Sequence, residues 1–327
     1  MMPLLLSLTS PGGSRGRLST LIFHRVLREP DPLFPDEIDA ARFDEMCAWL
    51  RQWFAVLPLD AACRRLREGS LPARALAITF DDGYADNHDV ALPLLRKHGL
   101  PATFFVATGF LDGGRMWNDT VIESVRLTKR EALELGDAGL PGISRLPMDT
   151  LAERRQAIDA LLKACKYLAV EERHAATQAI AKAADVLPPS DLMMRSSQVT
   201  ALHQAGMGVG GHTVNHPILA RLSPAAARAE MQAGKATLEA LTQAPVTTFA
   251  YPNGKPGQDF EAPHAEMAKG LGFEFAVTTA WGAADRASDP HQLPRFTPWD
   301  RSRWAFGLRM ARNLRTRAVP LALGAKA

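Results

Sequence analysis

The segment Ala75-Leu76-Ala77-Ile78-Thr79-Phe80-Asp81-Asp82-Gly83 decides the fold and the chemistry of this chain. Its first six residues are mostly apolar and predict a buried strand, and two carboxylates follow directly where that strand ends. Side chains alternate along an extended segment, so Asp81 and Asp82 are expected to point in different directions. One carboxylate can therefore bind a cation while the other remains free to accept a proton.

A second polar cluster, His212-Thr213-Val214-Asn215-His216, stands much later in the chain. Carboxylate oxygens and imidazole nitrogens suit Zn²⁺ or a similar divalent ion. Three protein ligands leave one coordination position open for water, which is the pattern of a catalytic rather than a structural site. The two clusters together predict a catalytic metal site, provided that the fold brings them together.

Short apolar runs separated by longer periodic segments predict alternating strands and helices. The predicted strands are residues 18–26, 54–59, 75–80, 102–108, 207–212, 246–251 and 273–279. The predicted helices between and after them are residues 41–54, 86–98, 224–242 and 262–271. Such alternation favours a mainly parallel sheet, and seven or so units favour an α/β fold of the distorted (β/α)7-barrel type.

The stretch from residue 113 to about 195 interrupts this rhythm. Its pattern is mostly helical, over 150–168 and 170–186, and contains no convincing strand. We interpret it as a helical insertion in a single barrel domain that spans residues 1–327. The apolar segment 1–8 is interpreted as an irregular start, and the arginine-rich segment 301–317 as a basic amphipathic helix at the carboxyl end.

The composition is that of a globular protein, with 46% hydrophobic and 22% charged residues. A formal charge of +3 is too small to indicate a nucleic-acid partner, and no feature specifies an oligomeric state. Three widely spaced cysteines favour a reducing compartment, and no export signal is recognised, so we expect a cytoplasmic protein. The basic helix adds the hypothesis of peripheral contact with the inner face of a membrane.

Polar residues follow several of the predicted strands and are expected to meet at one mouth of the barrel, where the active sites of such barrels lie. Asp81, Asp82 and His212 end two of these strands. His24 follows the run Leu21-Ile22-Phe23, and Asn253 follows the run 248–252. The strand assignments therefore predict that these five residues are neighbours in space.

Several of these motifs resemble the polysaccharide deacetylases, the NodB-homology group also called carbohydrate esterase family 4. Residues 79–83 (Thr-Phe-Asp-Asp-Gly) and 212–216 (His-Thr-x-x-His) are similar to its first two signature motifs, and 249–254 (Phe-Ala-Tyr-Pro-Asn-Gly) to its third. Phe23-His24-Arg25-Val26 resembles a subgroup of exopolysaccharide deacetylases with a histidine at the end of the first strand. The resemblance covers roughly residues 18–300 apart from the insertion.

The resemblance implies a barrel enzyme that hydrolyses an N-acetyl or O-acetyl group on a glycan or a lipid-linked saccharide. By motif match, Asp82, His212 and His216 bind a divalent metal, with Zn²⁺ expected first and Ni²⁺, Co²⁺ or Mn²⁺ as other candidates. Asp81 matches the general base that takes the proton of the attacking water. The backbone N–H of Asn253 matches the donor to the oxyanion.

Two positions depart from the family pattern. Ala250 stands where the third motif usually carries an arginine, and Leu293-Pro294-Arg295 stands where the last motif is Leu-x-His. We therefore expect Arg295 to brace Asp81 and the general acid to come from elsewhere. An imidazole has a suitable pKa for that task, and His24 is preferred over His291.

Other readings remain open for several residues. Thr213 is expected to hold either a substrate acetate or a loop. Trp117 would stack on a sugar ring or anchor the helical insertion. For the whole chain, the alternatives are a non-catalytic glycan-binding or assembly protein on a deacetylase scaffold, and a hydrolase of a non-sugar amide. The retained Asp81, which binding alone would not need, favours the enzyme.

Overall fold

The computed structural model describes residues 2–318 apart from 137 and 299, together with residue 321. Its strands are β1 (Ser19–Phe23), β2 (Ala55–Val56), β3 (Ala75–Phe80), β4 (Thr103–Val106), β5 (Ala132–Glu134), β6 (Arg145–Pro147), β7 (Gly208–Gly211), β8 (Thr248–Ala250) and β9 (Phe275–Val277). Each of the seven predicted strands is confirmed; β3 has its predicted bounds, and the other six are shorter than predicted. The predictions ran into the loops that follow the strands because apolar side chains there are also buried.

The helices complete the alternation. They are α1 (Met2–Thr9), α2 (Ala40–Trp53), α3 (Leu59–Glu68), α4 (Leu92–His98), α5 (Trp117–Leu127), α6 (Leu151–Cys165), α7 (Val170–Ala184), α8 (Ser196–Gln204), α9 (Pro224–Thr242), α10 (Ala262–Gly270) and α11 (Arg303–Asn313). The predicted helix 86–98 is instead a π-helical turn, Asn87–Ala91, followed by α4. Within the described residues, no helix has the length and apolar character needed to cross a bilayer.

The sheet is parallel and its order is β1-β3-β4-β7-β8-β9, with β2 paired to the start of β3. The extended segment 293–296 joins its two edges. Leu293 forms a parallel bridge with Val277 of β9, and Phe296 forms one with Leu21 of β1. The chain therefore closes a distorted barrel of seven extended segments, as the fold prediction required, with 293–296 in place of the short β2.

The barrel belongs to the first of two compact units, which comprises residues 1–29, 38–112 and 194–327. Its largest apolar cluster lies between the sheet and the helices, where aromatic rings of β1 and β3 pack on Phe43 of α2. Phe80 stacks on Phe104 with ring centroids 4.8 Å apart, and Phe23 stacks on Phe80 at 5.3 Å. These contacts across neighbouring strands help to hold the strands in register, which positions the residues that follow each strand.

The second compact unit comprises residues 30–37 and 113–193 and has an apolar cluster of its own. The helices α5, α6 and α7 form most of it, which agrees with the helical pattern of the insertion. The expectation that it contains no strand is wrong, because β5 and β6 pair as an antiparallel ribbon. Three-residue strands carry too little periodicity to be recognised in a sequence. Its assignment to a single domain with the barrel stays a prediction.

The amino-terminal segment was expected to be irregular, and that expectation is wrong. Residues 2–9 form α1, with Met2 and Leu6 buried. The predicted basic helix 301–317 is confirmed as the shorter α11, with Phe306 and Met310 on its buried face. The helix α1 was missed because its run of leucines without charges shows no helical period. The packing of Met2 and Leu6 supplies the stabilisation that so short a helix lacks by itself.

Candidate metal centre and active site

The two adjacent aspartates diverge because the backbone turns sharply between them. Asp81 continues the ladder, its N–H donating to the carbonyl of Phe23 at 2.9 Å. Asp82 adopts the left-handed conformation with φ 75°, and Gly83 follows with φ 91°. Aspartate tolerates this region better than most residues and glycine occupies it freely. The turn sends the two carboxylates to different partners.

The carboxylate of Asp82 lies between two imidazoles. Its Oδ1 is 3.4 Å from Nε2 of His212 and 3.4 Å from Nε2 of His216. One ligand atom from each residue lies within 4.8 Å of the others, and Asp82 and His212 are buried. The barrel therefore brings together the three residues that the motifs single out as ligands.

His212 is oriented for a metal by its second nitrogen. Nδ1 lies 2.7 Å from the backbone carbonyl of Ala250, which can only accept a hydrogen bond. Nδ1 therefore carries the proton, and a neutral His212 presents the lone pair of Nε2 to Asp82 and His216. This outer hydrogen bond to a carbonyl is the usual device that fixes a metal-binding histidine.

The donor set fits a divalent cation. Oδ1 of Asp82 is buried and has no hydrogen-bond partner within the described residues, although it lies against two ring nitrogens. A buried carboxylate oxygen without a partner carries a large desolvation cost, and a cation between the three donors would remove it. One carboxylate and two imidazoles with an open side match a catalytic Zn²⁺ site.

The protonation states are consistent with that fit. Burial lowers the pKa of His216 to about 4, so this imidazole is neutral at neutral pH. Burial also lowers the pKa of His212, but Asp82 and Asp81 outweigh it and the pKa is raised. Burial alone would raise the pKa of Asp82, while the two histidines hold it below its usual range. A metal-binding imidazole must be deprotonated, so the raised pKa of His212 would make metal binding weaker as the pH falls.

Thr213 holds the loop that connects the two histidines. Its hydroxyl donates to the carbonyl of His212 and accepts from the N–H of His216 at 3.1 Å. Both Thr213 (φ 67°) and His216 (φ 50°) occupy the left-handed region, which is costly for residues with a side chain. Of the two roles expected for Thr213, the structure displays the loop contact.

Helix α9 fixes the same loop from outside. The carboxylate of Glu230 accepts the N–H of Val214 at 2.9 Å, the N–H of Asn215 at 2.8 Å and the side-chain amide of Asn215 at 2.7 Å. One turn further, a Cβ at Gly234 would lie 2.7 Å from the carbonyl oxygen of Thr213. The close approach therefore requires glycine, and it places Glu230 within reach of the loop.

Asp81 forms a buried ion pair with Arg295. The guanidinium donates to both carboxylate oxygens, at 2.6 and 2.7 Å, and Arg295 is fully buried. It also donates to the carbonyl of Thr278 and to the hydroxyl of Thr79, which fixes its plane. Burial alone would raise the pKa of Asp81, but Arg295 and His212 bring it below the usual range. The carboxylate is therefore ionised and rigidly oriented.

The two candidate acids lie in different surroundings. His24 is exposed directly after β1, and because Phe23 pairs with Phe80 it stands level with Asp81. His291 lies at the other end of the barrel, where its Nε2 is 2.9 Å from the carbonyl of Phe273, before the start of β9. The structure brings His24 to the metal cluster and does not bring His291 there.

Asn253 follows β8 in the left-handed conformation, with φ 58°, and its carbonyl accepts from the hydroxyl of Thr279 at 3.0 Å. It stands at the carboxyl end of its strand, as predicted. Trp117 begins α5 in the second unit, where the guanidinium of Arg173 lies 5.2 Å from its ring centroid. Within that unit its contacts are those of an anchor, and the sugar-stacking role stays a prediction.

The sequence interpretation missed three contributors to the site: the Ala250 carbonyl, Glu230 and Gly234. A backbone carbonyl has no signature in a sequence. Glu230 and Gly234 lie four residues apart on one face of α9, but this spacing is ordinary for a helix. Only the docking of α9 against the histidine loop gives the pair a function, so the sequence carried no signal for it.

The fold and the cluster place this chain among α/β-barrel proteins whose chemistry lies at the carboxyl ends of parallel strands. The sequence profile of the family described as polysaccharide deacetylase matches residues 68–139 and 154–276, which is more than half of the chain. The chain therefore belongs to the polysaccharide deacetylase family, as its motifs predicted.

Individual relatives are distant. YxkH of Bacillus subtilis (strain 168), whose name assigns it to the polysaccharide deacetylases, is 20% identical over 281 residues, which is 85% of this chain and 70% of that protein. The poly-beta-1,6-N-acetyl-D-glucosamine N-deacetylase of Staphylococcus aureus (strain N315) is 29% identical over 104 residues, 32% of this chain and 34% of that protein. The structure of IcaB from Ammonifex degensii superposes with a TM-score of 0.59 at 20% identity, covering 92% of this chain and 98% of IcaB. The last similarity shows the fold.

Proposed function

We propose that this chain is a metal-dependent carbohydrate deacetylase, a hydrolase that acts on the non-peptide C–N bond of an N-acetyl group or on an O-acetyl ester of a glycan or glycan precursor. The observation that carries the proposal is the buried Oδ1 of Asp82, which has no hydrogen-bond partner among the described residues and lies 3.4 Å from the Nε2 atoms of His212 and His216. These three atoms would hold the ion, with Zn²⁺ as the first candidate and Ni²⁺, Co²⁺ or Mn²⁺ as others.

A divalent ion at such a site supplies a Lewis acid that polarises an acetyl carbonyl and lowers the pKa of a water molecule. Asp81 would accept the proton of the attacking water. Its pairing with Arg295 supports this role, because the ion pair keeps the carboxylate ionised and fixes its direction. The backbone N–H of Asn253 would donate to the developing oxyanion.

The departing amine needs a proton, and we assign its delivery to His24. The side chain is exposed at the end of β1, so it can meet a substrate. Phe23 pairs with Phe80 in the sheet, so His24 follows β1 at the level where Asp81 follows β3. An imidazole can give and regain a proton near neutral pH. His24→Gln should therefore lower turnover, whereas His174→Gln, a change at an exposed histidine of α7, should not.

The substrate class follows from the relatives. The Staphylococcus aureus relative is named for a polymer of N-acetylglucosamine, which motivates an acetylated hexosamine polymer or its lipid-linked precursor as the substrate of this chain. The test measures acetate released from poly-β-1,6-N-acetylglucosamine and from acetylated chito-oligosaccharides, by the chelated protein with and without added Zn²⁺. We expect release that depends on metal and is lost in Asp81→Asn.

Other results would redirect the proposal. Binding of the glycan without acetate release by the metal-loaded chain would indicate the glycan-binding alternative. Release of acetate from small non-sugar amides, with none from any glycan, would indicate a hydrolase of another substrate class. Equal release by the wild-type chain and Asp81→Asn would remove Asp81 from the mechanism.

A further inference from the structure

Two helices that are far apart in sequence lie side by side on the first unit. Met2 and Leu6 of α1 are buried in the same apolar cluster as Phe306 and Met310 of α11. The contact is close, because a Cβ at Gly307 would lie 2.5 Å from the methyl carbon of Met2. The buried face of each helix is therefore accounted for, and the opposite faces point to solvent.

Those outer faces carry large apolar side chains. Leu4 and Leu8, one turn apart on α1, are 69% and 75% exposed. Trp304 and Leu308, one turn apart on α11, are 60% and 58% exposed. Leu308 directly follows Gly307, the residue in contact with α1, so the exposed stripe of α11 borders the amino-terminal helix. Scattered single apolar residues are normal on a surface, but two adjoining stripes need an explanation.

The same surface is basic. Neither α1 nor α11 contains an acidic residue. Arg312 and Arg315 are exposed on the last turn of α11 and just after it, and neither forms an ion pair within the described part of the chain. The α1–α11 surface, defined by Leu4, Leu8, Trp304, Leu308, Arg312 and Arg315, thus combines an apolar centre with positive charges.

We propose that the α1–α11 surface docks the protein on a membrane that contains anionic lipids. Helices that lie on a bilayer bind it through three kinds of side chain. Leucines reach the acyl boundary, a tryptophan lies at headgroup depth, and arginines contact lipid phosphates. A second copy of this chain fits less well, because matching the same face would bring like charges together. The proposal is independent of the deacetylase chemistry and extends the sequence-based hypothesis for α11 to a surface built from both ends of the chain.

The test is sedimentation of the full chain with phosphatidylcholine vesicles, with and without phosphatidylglycerol. We expect binding only to the anionic vesicles, and weaker binding at high salt. Leu4→Ser/Leu8→Ser and Arg312→Glu/Arg315→Glu should each reduce the bound fraction about tenfold or more. The matched controls are Leu187→Ser, at an exposed leucine elsewhere, and Arg65→Glu/Arg286→Glu, with the same change in net charge; both should bind like the wild type.

Three results of the vesicle test would overturn the proposal. They are no binding of the wild-type chain to anionic vesicles, equal binding by the surface variants and the wild type, or loss of binding in the controls as well. A concentration-dependent dimer in sedimentation velocity that Leu4→Ser/Leu8→Ser dissociates would assign the surface to a second copy instead. Acetate release from a soluble glycan should be the same in all five proteins, which separates this test from that of the proposed function.

Discussion

Asp81 and Asp82 are neighbours in sequence, yet the two sides of the site they build are held differently. Asp81 is neutralised by Arg295, and both of its oxygens accept hydrogen bonds. Asp82 faces two imidazoles, and its Oδ1 has no hydrogen-bond partner within the described residues. The protein supplies a guanidinium for one carboxylate, and the donors around the other could hold a metal ion.

Asp81 therefore provides a charge of fixed orientation, whereas Asp82 provides an oxygen that is available to a cation. A carboxylate locked by a guanidinium keeps its orientation and its charge, as a proton acceptor requires. A buried carboxylate beside two imidazoles could hold a metal ion and is costly without one. The left-handed conformation of Asp82 makes the difference possible, because it turns the second side chain away from the first.

Removal of the Asp82 carboxylate should have the largest effect on metal binding and on acetate release. Asp82→Ala removes the only carboxylate among the three predicted ligands, so we expect metal binding and acetate release to fall below detection. Chelation of the wild-type chain should have the same effect on activity and be reversed by Zn²⁺, whereas Asp82→Ala should not be rescued. Full activity of the chelated wild-type chain would contradict the metal requirement.

Removal of the negative charge of Asp81 alone should leave metal binding unchanged. Asp81→Asn keeps the shape of the side chain but cannot accept the proton, so acetate release should fall about 10²–10⁴-fold. Zn²⁺ content measured on the same preparation should stay at the wild-type level. If Zn²⁺ is lost together with activity, the two carboxylates do not have separate roles.

Removal of the Arg295 guanidinium should mainly lower the free energy of unfolding. Arg295→Met leaves Asp81 charged and buried without its partner, and we expect the free energy of unfolding in urea to fall by about 3–5 kcal/mol. Arg295→Lys should cost less because the charge remains. Arg64 and Glu274, which are both well exposed, provide the control, and Arg64→Met should change the same quantity by about 1 kcal/mol or less.

The double variant Asp81→Asn/Arg295→Met tests whether the ion pair determines the stability of this side of the site. Because the second change no longer leaves a charge unpaired, the double variant should be more stable than the sum of the two single changes predicts. Strict additivity would show that the ion pair does not determine the stability of this side of the site.

A smaller effect is expected from outside the ligand set. Glu230→Gln weakens the three hydrogen bonds that hold the loop before His216, and Zn²⁺ affinity measured by calorimetry should fall about tenfold. Glu239→Gln is the matched control, since this residue lies on the same helix but accepts the N–H of Val246. Equal affinities for the two variants would mean that the loop keeps its geometry without Glu230.

Much of the barrel was predictable because its strands are apolar runs with polar residues at their ends. The bounds of α9 were predicted to the residue, since Ser223 caps it and Pro224 begins it. The extended segment 293–296 was missed because it is short and contains a proline, and only its bridges to β9 and β1 define it.

In the site, the sequence was most informative where chemistry is concentrated in a motif. Asp82, His212 and His216 were predicted to meet, and the structure places them together. The pairing of Arg295 with Asp81 was expected only because the family's bracing arginine is replaced by Ala250. Contacts made by the docking of a helix, such as those of Glu230, follow from tertiary structure and have no local pattern.

The most direct test of the account is a crystal structure of the zinc-loaded protein with anomalous diffraction measured at the zinc edge. The account predicts one strong peak, about 2.0–2.2 Å from Oδ1 of Asp82 and from Nε2 of His212 and His216. It also predicts that Asp81 stays paired with Arg295 and outside the coordination sphere. No peak at this position, with Asp82 hydrogen-bonded to a protonated His212 instead, would contradict it.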